Sequence, residues 1–146
     1  MSGLLNIKIV AHNSKEYWKT IELRDKVLRK PLGLSFSDEE LQAEDHQIHI
    51  AAISADQVIG CLVLKPIGSS EIKMRQVAVD TAIQGKGIGR KMVDFAEAYA
   101  AKKGFALMSL HARDVAIRFY TRLNYEKVGE PFEEVGIEHY RMEKGL

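Results

Sequence analysis

Apolar and polar side chains alternate along residues 5–10, the period of a half-buried strand. Asn13 with Glu16 has the spacing of a helix capping box, and Tyr17, Ile21, Arg24 and Leu28 then recur on one helical face. Pro31 disfavours helical geometry at Lys30 and is expected to close that helix, leaving residues 30–36 as a loop. Ser37 and Glu40 repeat the capping-box spacing ahead of a short helix ending near Gln42. Residues 48–53 and 58–66 are rich in β-branched side chains and joined by Ser54-Ala55-Asp56-Gln57, which predicts a hairpin. Gly68-Ser69-Ser70 predicts a second turn, into a strand over 72–79.

From Lys86 the pattern changes period. Ile88, Met92, Phe95, Ala96 and Tyr99 recur at helical spacing until Lys103-Gly104, a plausible stop. Residues 105–110 form a further apolar strand, and a helix starting near Arg113 carries Ala116, Phe119, Tyr120 and Leu123 on one face. Residues 126–129 and 137–142 close the chain as strands. The predicted order is βαα-βββ-αβ-αββ. A strand, a helix and another strand from Val77 to Leu110 imply a locally parallel pair within a mostly antiparallel, mixed sheet. The expectation is one α/β domain over residues 1–146, its sheet flanked by helices.

Composition narrows the class of function. The 146 residues are 46% hydrophobic and 28% charged, ordinary values for a globular protein. A formal net charge of +1 gives no broad electrostatic case for nucleic acid or membrane. The single Cys61 excludes an internal disulfide framework and a multi-cysteine metal site, and its apolar run reads as a buried structural thiol. No apolar stretch approaches a membrane span and no signal peptide opens the chain, so a cytoplasmic protein is expected. Glu44, Asp45, His46 and His49 form a polar cluster, but without cysteines or a helical His-x-x-x-His no metal is expected there.

The chemistry concentrates in Met74-Arg75-Gln76-Val77-Ala78-Val79-Asp80 and, just beyond, Gln84-Gly85-Lys86-Gly87-Ile88-Gly89-Arg90. Strand, glycine-rich turn and helix start make a site for an anion, because free N–H groups and the positive end of a helix dipole converge there. A P-loop would need Gly-Lys-Ser/Thr, whereas Gly89 is followed by Arg90-Lys91. A dinucleotide fingerprint would need glycine where Arg90 stands. Gln84, Gly87 and Gly89 instead match Gln/Arg-x-x-Gly-x-Gly/Ala after a Val-rich strand. This resembles the pyrophosphate loop of the GNAT superfamily of N-acetyltransferases, which implies acetyl-CoA as co-substrate.

A second family signature, Asn-x-x-Ala followed by aromatic-Tyr and Gly-Phe, is matched by Ala116, Phe119-Tyr120 and Asn124-Tyr125. Arg113 stands in place of the usual Asn, which puts a contact from that side chain to the pantetheine arm in doubt, since Arg cannot accept a hydrogen bond. Leu110-His111-Ala112-Arg113 and the tail from Gly129-Glu130-Pro131-Phe132-Glu133-Glu134 to His139 look like the YjcF/ElaA-like branch, with its Gly-x-x-Phe-x-Glu-x-Gly-Ile-x-His ending. The first 45 residues carry little family signal.

The resemblance implies a role for each residue of the loop and strand. Gln76, Val77, Ala78 and Val79 would pair their backbone with the pantetheine arm, an N–H such as that of Val77 donating to the thioester oxygen. Gln84, Gly85, Lys86, Gly87, Ile88, Gly89 and Arg90 would wrap the pyrophosphate. Tyr120 would protonate the departing thiolate. Glu71 is the first candidate for the general base, with His111 and His139 as alternatives. Arg24 is a distant candidate for a ligand contact and equally a partner in an internal ion pair. The expected activity is acetylation of the primary amine of a small molecule, with no metal and no nucleic-acid partner. The alternatives are a non-catalytic acyl-CoA-binding sensor or interaction module on the same fold and, more distantly, a nicotinamide-dependent oxidoreductase. A homodimer is common in the family, but no feature here demonstrates one.

Overall fold

The computed structural model describes residues 4–146. Seven strands form one sheet in the order β1-β2-β3-β4-β5-β7-β6. These are β1 (Asn6–Val10), β2 (Ile48–Ser54), β3 (Gln57–Pro66), β4 (Glu71–Val79), β5 (Leu107–Arg113), β6 (Glu126–Glu134) and β7 (Ile137–Gly145). Only β4 and β5 run parallel, so the fold is the mixed, mostly antiparallel α/β sheet that the sequence pattern predicts. The helices are α1 (Lys15–Arg24), α2 (Asp38–Gln42), α3 (Ile88–Lys102) and α4 (Ile117–Arg122).

The main core lies between the sheet and α3. Ile50, Leu62, Leu64, Ile72, Met74, Met108, Leu110 and Met142 meet Met92, Val93 and Ala96, all at most 2% exposed. Burial of this many large apolar side chains is the dominant stabilising term. On the other face Leu23 of α1 packs with Cys61 and Ala78 in a smaller cluster. Cys61 is fully buried and its thiol is pushed up to about 12, as expected of a structural rather than reactive cysteine.

Several local expectations shift. The cap of α1 is Ser14, whose side chain accepts from the Tyr17 N–H; Asn13 instead takes a left-handed φ of 67°. Helical geometry does not stop at Lys30. A π-helical turn at Asp25–Arg29 and a 3-10 turn at Lys30–Leu32 carry it on, and Pro31 is tolerated in that first turn because its missing N–H would have been unpaired anyway. The second capping box holds in full, with Ser37 and Glu40 each bonding the other's backbone N–H. The hairpin between β2 and β3 turns on Ala55 and Asp56, both at positive φ. The last two strands run longer than predicted, to Glu134 and Gly145.

Candidate active site

Two irregularities in β4 create the site. Cys61 faces Ala78 while Val63 faces Arg75, so Gln76 and Val77 together oppose Leu62 in a β-bulge, with Gln76 at φ 54°. The extra residue changes which face the side chains occupy. Ile72 and Met74 point into the main core before the bulge, Val77 and Val79 after it, and Ala78 turns to the α1 side. On its other edge β4 pairs with β5 only from Glu71↔Leu107 to Met74↔Leu110. Beyond Leu110, β5 continues beside β7, and Arg75 to Val79 have no strand on that side. The expected parallel pair is therefore present, but it ends before Val77.

The split opens into a cleft of about 720 Å³. Gln76, Val77, Ala78, Val79, Gln84, Gly85, Gly87, Ile88, Gly89, Arg90 and Tyr120 all line it; Lys86 is exposed and does not. Gly85 and Gly87 sit at φ 83° and 82°, geometry that a side chain would strain. Gly89 answers a different need, since a Cβ there would lie 3.1 Å from Cζ of Phe119. The Gln84 amide donates to the carbonyl of Val79 at 3.0 Å, tying loop to strand. Gly87 caps α3 without a side-chain acceptor, so the opening N–H groups of that helix face the cleft unpaired. An anion is the natural complement. Two further polar groups that line the cleft lack partners: the Oε1 of Gln76 is buried with none, and the Tyr120 hydroxyl has no hydrogen bond among the described residues. Burial pushes the Tyr120 pKa well above that of a free phenol, so the hydroxyl stays protonated.

Across the split lies a polar cluster. His111 of β5, Glu134 at the end of β6 and His139 of β7 line the same cleft. The Nδ1 of His111 is 3.0 Å from Oε2 of Glu134 and 3.2 Å from Nζ of Lys73, while His139 stands 4.0 Å from the other Glu134 oxygen. Phe132 packs edge-on to His111 and stacks on His139, fixing both rings. Burial lowers the His111 pKa and the Lys73 ammonium lowers it further, against an opposing pull from Glu134. In one neutral tautomer Nδ1 accepts from Lys73; in the other it donates to Glu134 and leaves the lone pair on Nε2 free to take a proton.

Glu71 does not join this group. It sits at the opposite end of β4, outside the cleft, with Oε2 taking hydrogen bonds from Ser109 at 2.7 Å and Arg141 at 3.0 Å. Those bonds, the Ser109 one foremost, hold its carboxyl below the usual carboxylate range. A base role expected at Glu71 is therefore corrected by its position. Glu134 received no role from the sequence, although it occupies the Glu of the Gly-x-x-Phe-x-Glu ending. Val27, Leu28, Arg29, Leu32 and Leu34 also line the cleft, and none of them received a role there from the sequence. Arg24 is the internal partner: its guanidinium bridges both carboxylate oxygens of Glu44 at 2.8 and 2.7 Å in a fully buried pair. No group of His, Cys, Asp and Glu among the described residues is arranged to hold a metal. Nor is any described helix long and apolar enough to cross a membrane.

A mixed sheet splayed beside an uncapped helix start leaves an open strand edge that leads straight into a run of free backbone N–H groups. The chain belongs to the Acetyltransferase (GNAT) family, whose sequence model matches residues 14–125. Solved structures agree. A candidate N-acetyltransferase from Lactobacillus plantarum superimposes with a TM-score of 0.86 at 26% identity, covering 97% of this chain and 98% of that one. Escherichia coli ElaA gives 0.82 at 18%, with 97% and 99% covered. A GNAT family acetyltransferase from Elizabethkingia anophelis, solved with acetyl-CoA bound, gives 0.76 at 18%, with 97% and 98% covered. The curated relative ML0378 of Mycobacterium leprae is 26% identical over 95 residues, 63% of this chain; the chain spans about a quarter of that protein's length (26%).

Proposed function

We propose that this chain transfers an acetyl group from acetyl-CoA to the primary amine of a small molecule. The observation that carries the reading is the unpaired edge of β4 from Arg75 to Val79, running directly into the uncapped start of α3. A pantetheine arm carries amide groups that complete such an edge, and its diphosphate meets the N–H groups of residues 84–90 with Arg90 beside them. The orphaned Oε1 of Gln76 accepts an N–H from that arm.

The arm places the thioester between the two walls of the cleft. Tyr120 belongs to the α3 side, and His111 with Glu134 to the other. An ammonium ion has no lone pair, so the acceptor first yields a proton to His111, whose lowered pKa keeps it neutral and receptive near pH 7. The nitrogen then forms its bond to the carbonyl carbon, and negative charge gathers on the oxygen beside a β4 N–H such as that of Val77. Breaking the C–S bond leaves a thiolate. Tyr120 donates to it, and the second proton lost by the nitrogen makes good the one that Tyr120 supplies. A buried phenol is a weak acid, yet desolvation disfavours the thiolate too and raises the proton affinity of the departing sulfur.

The test is a screen of primary amines with acetyl-CoA, read by thiol release, beside thermal unfolding with acetyl-CoA or coenzyme A. Ligand at 100 times its Kd stabilises by about 2.7 kcal/mol and raises Tm by several degrees. Turnover with a melting shift supports the transferase reading. A melting shift with no turnover on any amine would favour a binding protein on the same fold.

A further inference from the structure

Arg113 ends β5 with no partner. Arg29 reaches Glu40 at 3.3 Å and covers the Phe36 ring, and Arg75 holds Glu44 and Gln47. Arg113 also lines the cleft, yet it makes no hydrogen bond or ion pair among the described residues, and its Nε is buried. Arg113 is half-buried, and a guanidinium N–H shut off from water with no acceptor is costly, which suits the group to an anion entering the cleft.

Its place in the sheet says which end of the cleft that anion occupies. Met108, Leu110 and Ala112 point into the core against α3, so Ser109, His111 and Arg113 leave β5 on the opposite face. Arg113 pairs in register with His139, one of the two histidines beside Glu134. The loop that would take the diphosphate opens α3 and has its own unpaired cation in Arg90. Arg113 therefore faces the acceptor. Among the described residues that line the cleft, Glu134 is the only carboxylate, and Arg113 is a cation on its side with no partner. Glu134 and Arg113 offer one group of each sign to a ligand, which matches a zwitterion.

Resting on the transferase reading above, we propose that Arg113 binds a carboxylate of the acceptor, and that the acceptor is a small amine bearing a carboxylate. Its ammonium faces Glu134 and His111. The planar guanidinium fork suits bidentate contact with a carboxylate, which an ammonium side chain does not reproduce.

The experiment compares each amino acid in a panel with the amine left when its carboxyl group is removed, using wild type, Arg113→Gln and Arg113→Lys. Wild type should favour the carboxylate-bearing member at least about tenfold in kcat/KM, mainly through KM. Arg113→Gln should erase that preference, Arg113→Lys should restore part of it, and both should keep the acetyl-CoA melting shift. Turnover without preference in wild type overturns this proposal alone. So does an Arg113→Gln variant whose KM rises for acetyl-CoA rather than for the acceptor. No turnover with any amine would overturn the transferase reading and this one with it.

Discussion

His111 and Glu134 lie 23 residues apart in sequence and meet at 3.0 Å on one side of the split in the sheet. Their coupling gives the pH dependence of the reaction a sign. Burial and Lys73 hold the His111 pKa below its ordinary value, and Glu134 pulls it up. The acid limb of the kcat/KM profile should therefore lie below pH 6.5, the value of a free imidazole. Glu134→Gln should move that limb to lower pH, and Lys73→Met to higher pH. A limb that ignores both substitutions would remove His111 from the base role.

Tyr120→Phe isolates the acid. Because the hydroxyl bonds to nothing within the described protein, its loss should leave Tm and the acetyl-CoA melting shift nearly unchanged. Turnover should fall by about 10²-fold, the lower range for a positioned acid. Undiminished turnover would assign Tyr120 to packing against Phe119 and Tyr125, its ring neighbours at 5.0 and 5.7 Å.

The buried Arg24–Glu44 pair makes a prediction about stability. Glu44→Gln leaves the guanidinium without its counter-charge and should cost about 3–5 kcal/mol in urea denaturation. Desolvation raises the Glu44 pKa, but Arg24 and then Arg75 outweigh it and the net shift is downward. A depressed folded-state pKa means stability that is present above the unfolded value of about 4.3 and lost as pH falls through the folded one. The wild type should therefore lose stability in acid more steeply than Glu44→Gln.

Val135 offers the reverse. It stands at φ 49° in the two-residue turn between β6 and β7, followed by Gly136 at φ 74°. A β-branched residue in left-handed geometry is strained by about 1–3 kcal/mol. Val135→Asn should relieve part of that strain and raise Tm. Val135 also lines the cleft and is half exposed, so the same change should alter acceptor KM. A gain in stability without any change in kinetics would make the strain a purely structural matter.

Periodicity and punctuation were enough to predict every strand and α-helix in order, though not the π and 3-10 turns, because α3 and the β2–β3 hairpin each bury one continuous apolar face. The loop from Gln84 to Arg90 was legible for a similar reason: its glycines at positive φ answer a local backbone requirement. The bulge was not. Residues 72–79 read as one strand, and nothing in Arg75-Gln76-Val77 shows that the inward face changes midway. The continuation of α1 was hidden because Pro31 disfavours helix at Lys30 in the general case, while the i→i+5 bond from the Lys30 N–H to Asp25 depends on tertiary packing. The same limit applied to the base: Glu71 ranked ahead of His111 in the sequence, and only the position of each relative to the end of the β4–β5 pairing places His111 in the cleft and Glu71 outside it.

The split has a consequence for the empty protein. A sheet of seven strands ordinarily has two outer edges, here β1 and β6. This one adds two interior borders, along residues 75–79 of β4 and the facing run of β5. Unfilled borders of that kind are templates for a foreign strand. The co-substrate, on this view, also acts as a guard against misassembly. Protein stripped of coenzyme A should self-associate faster on mild heating than the liganded form, with hydrogen exchange rising first in residues 75–79.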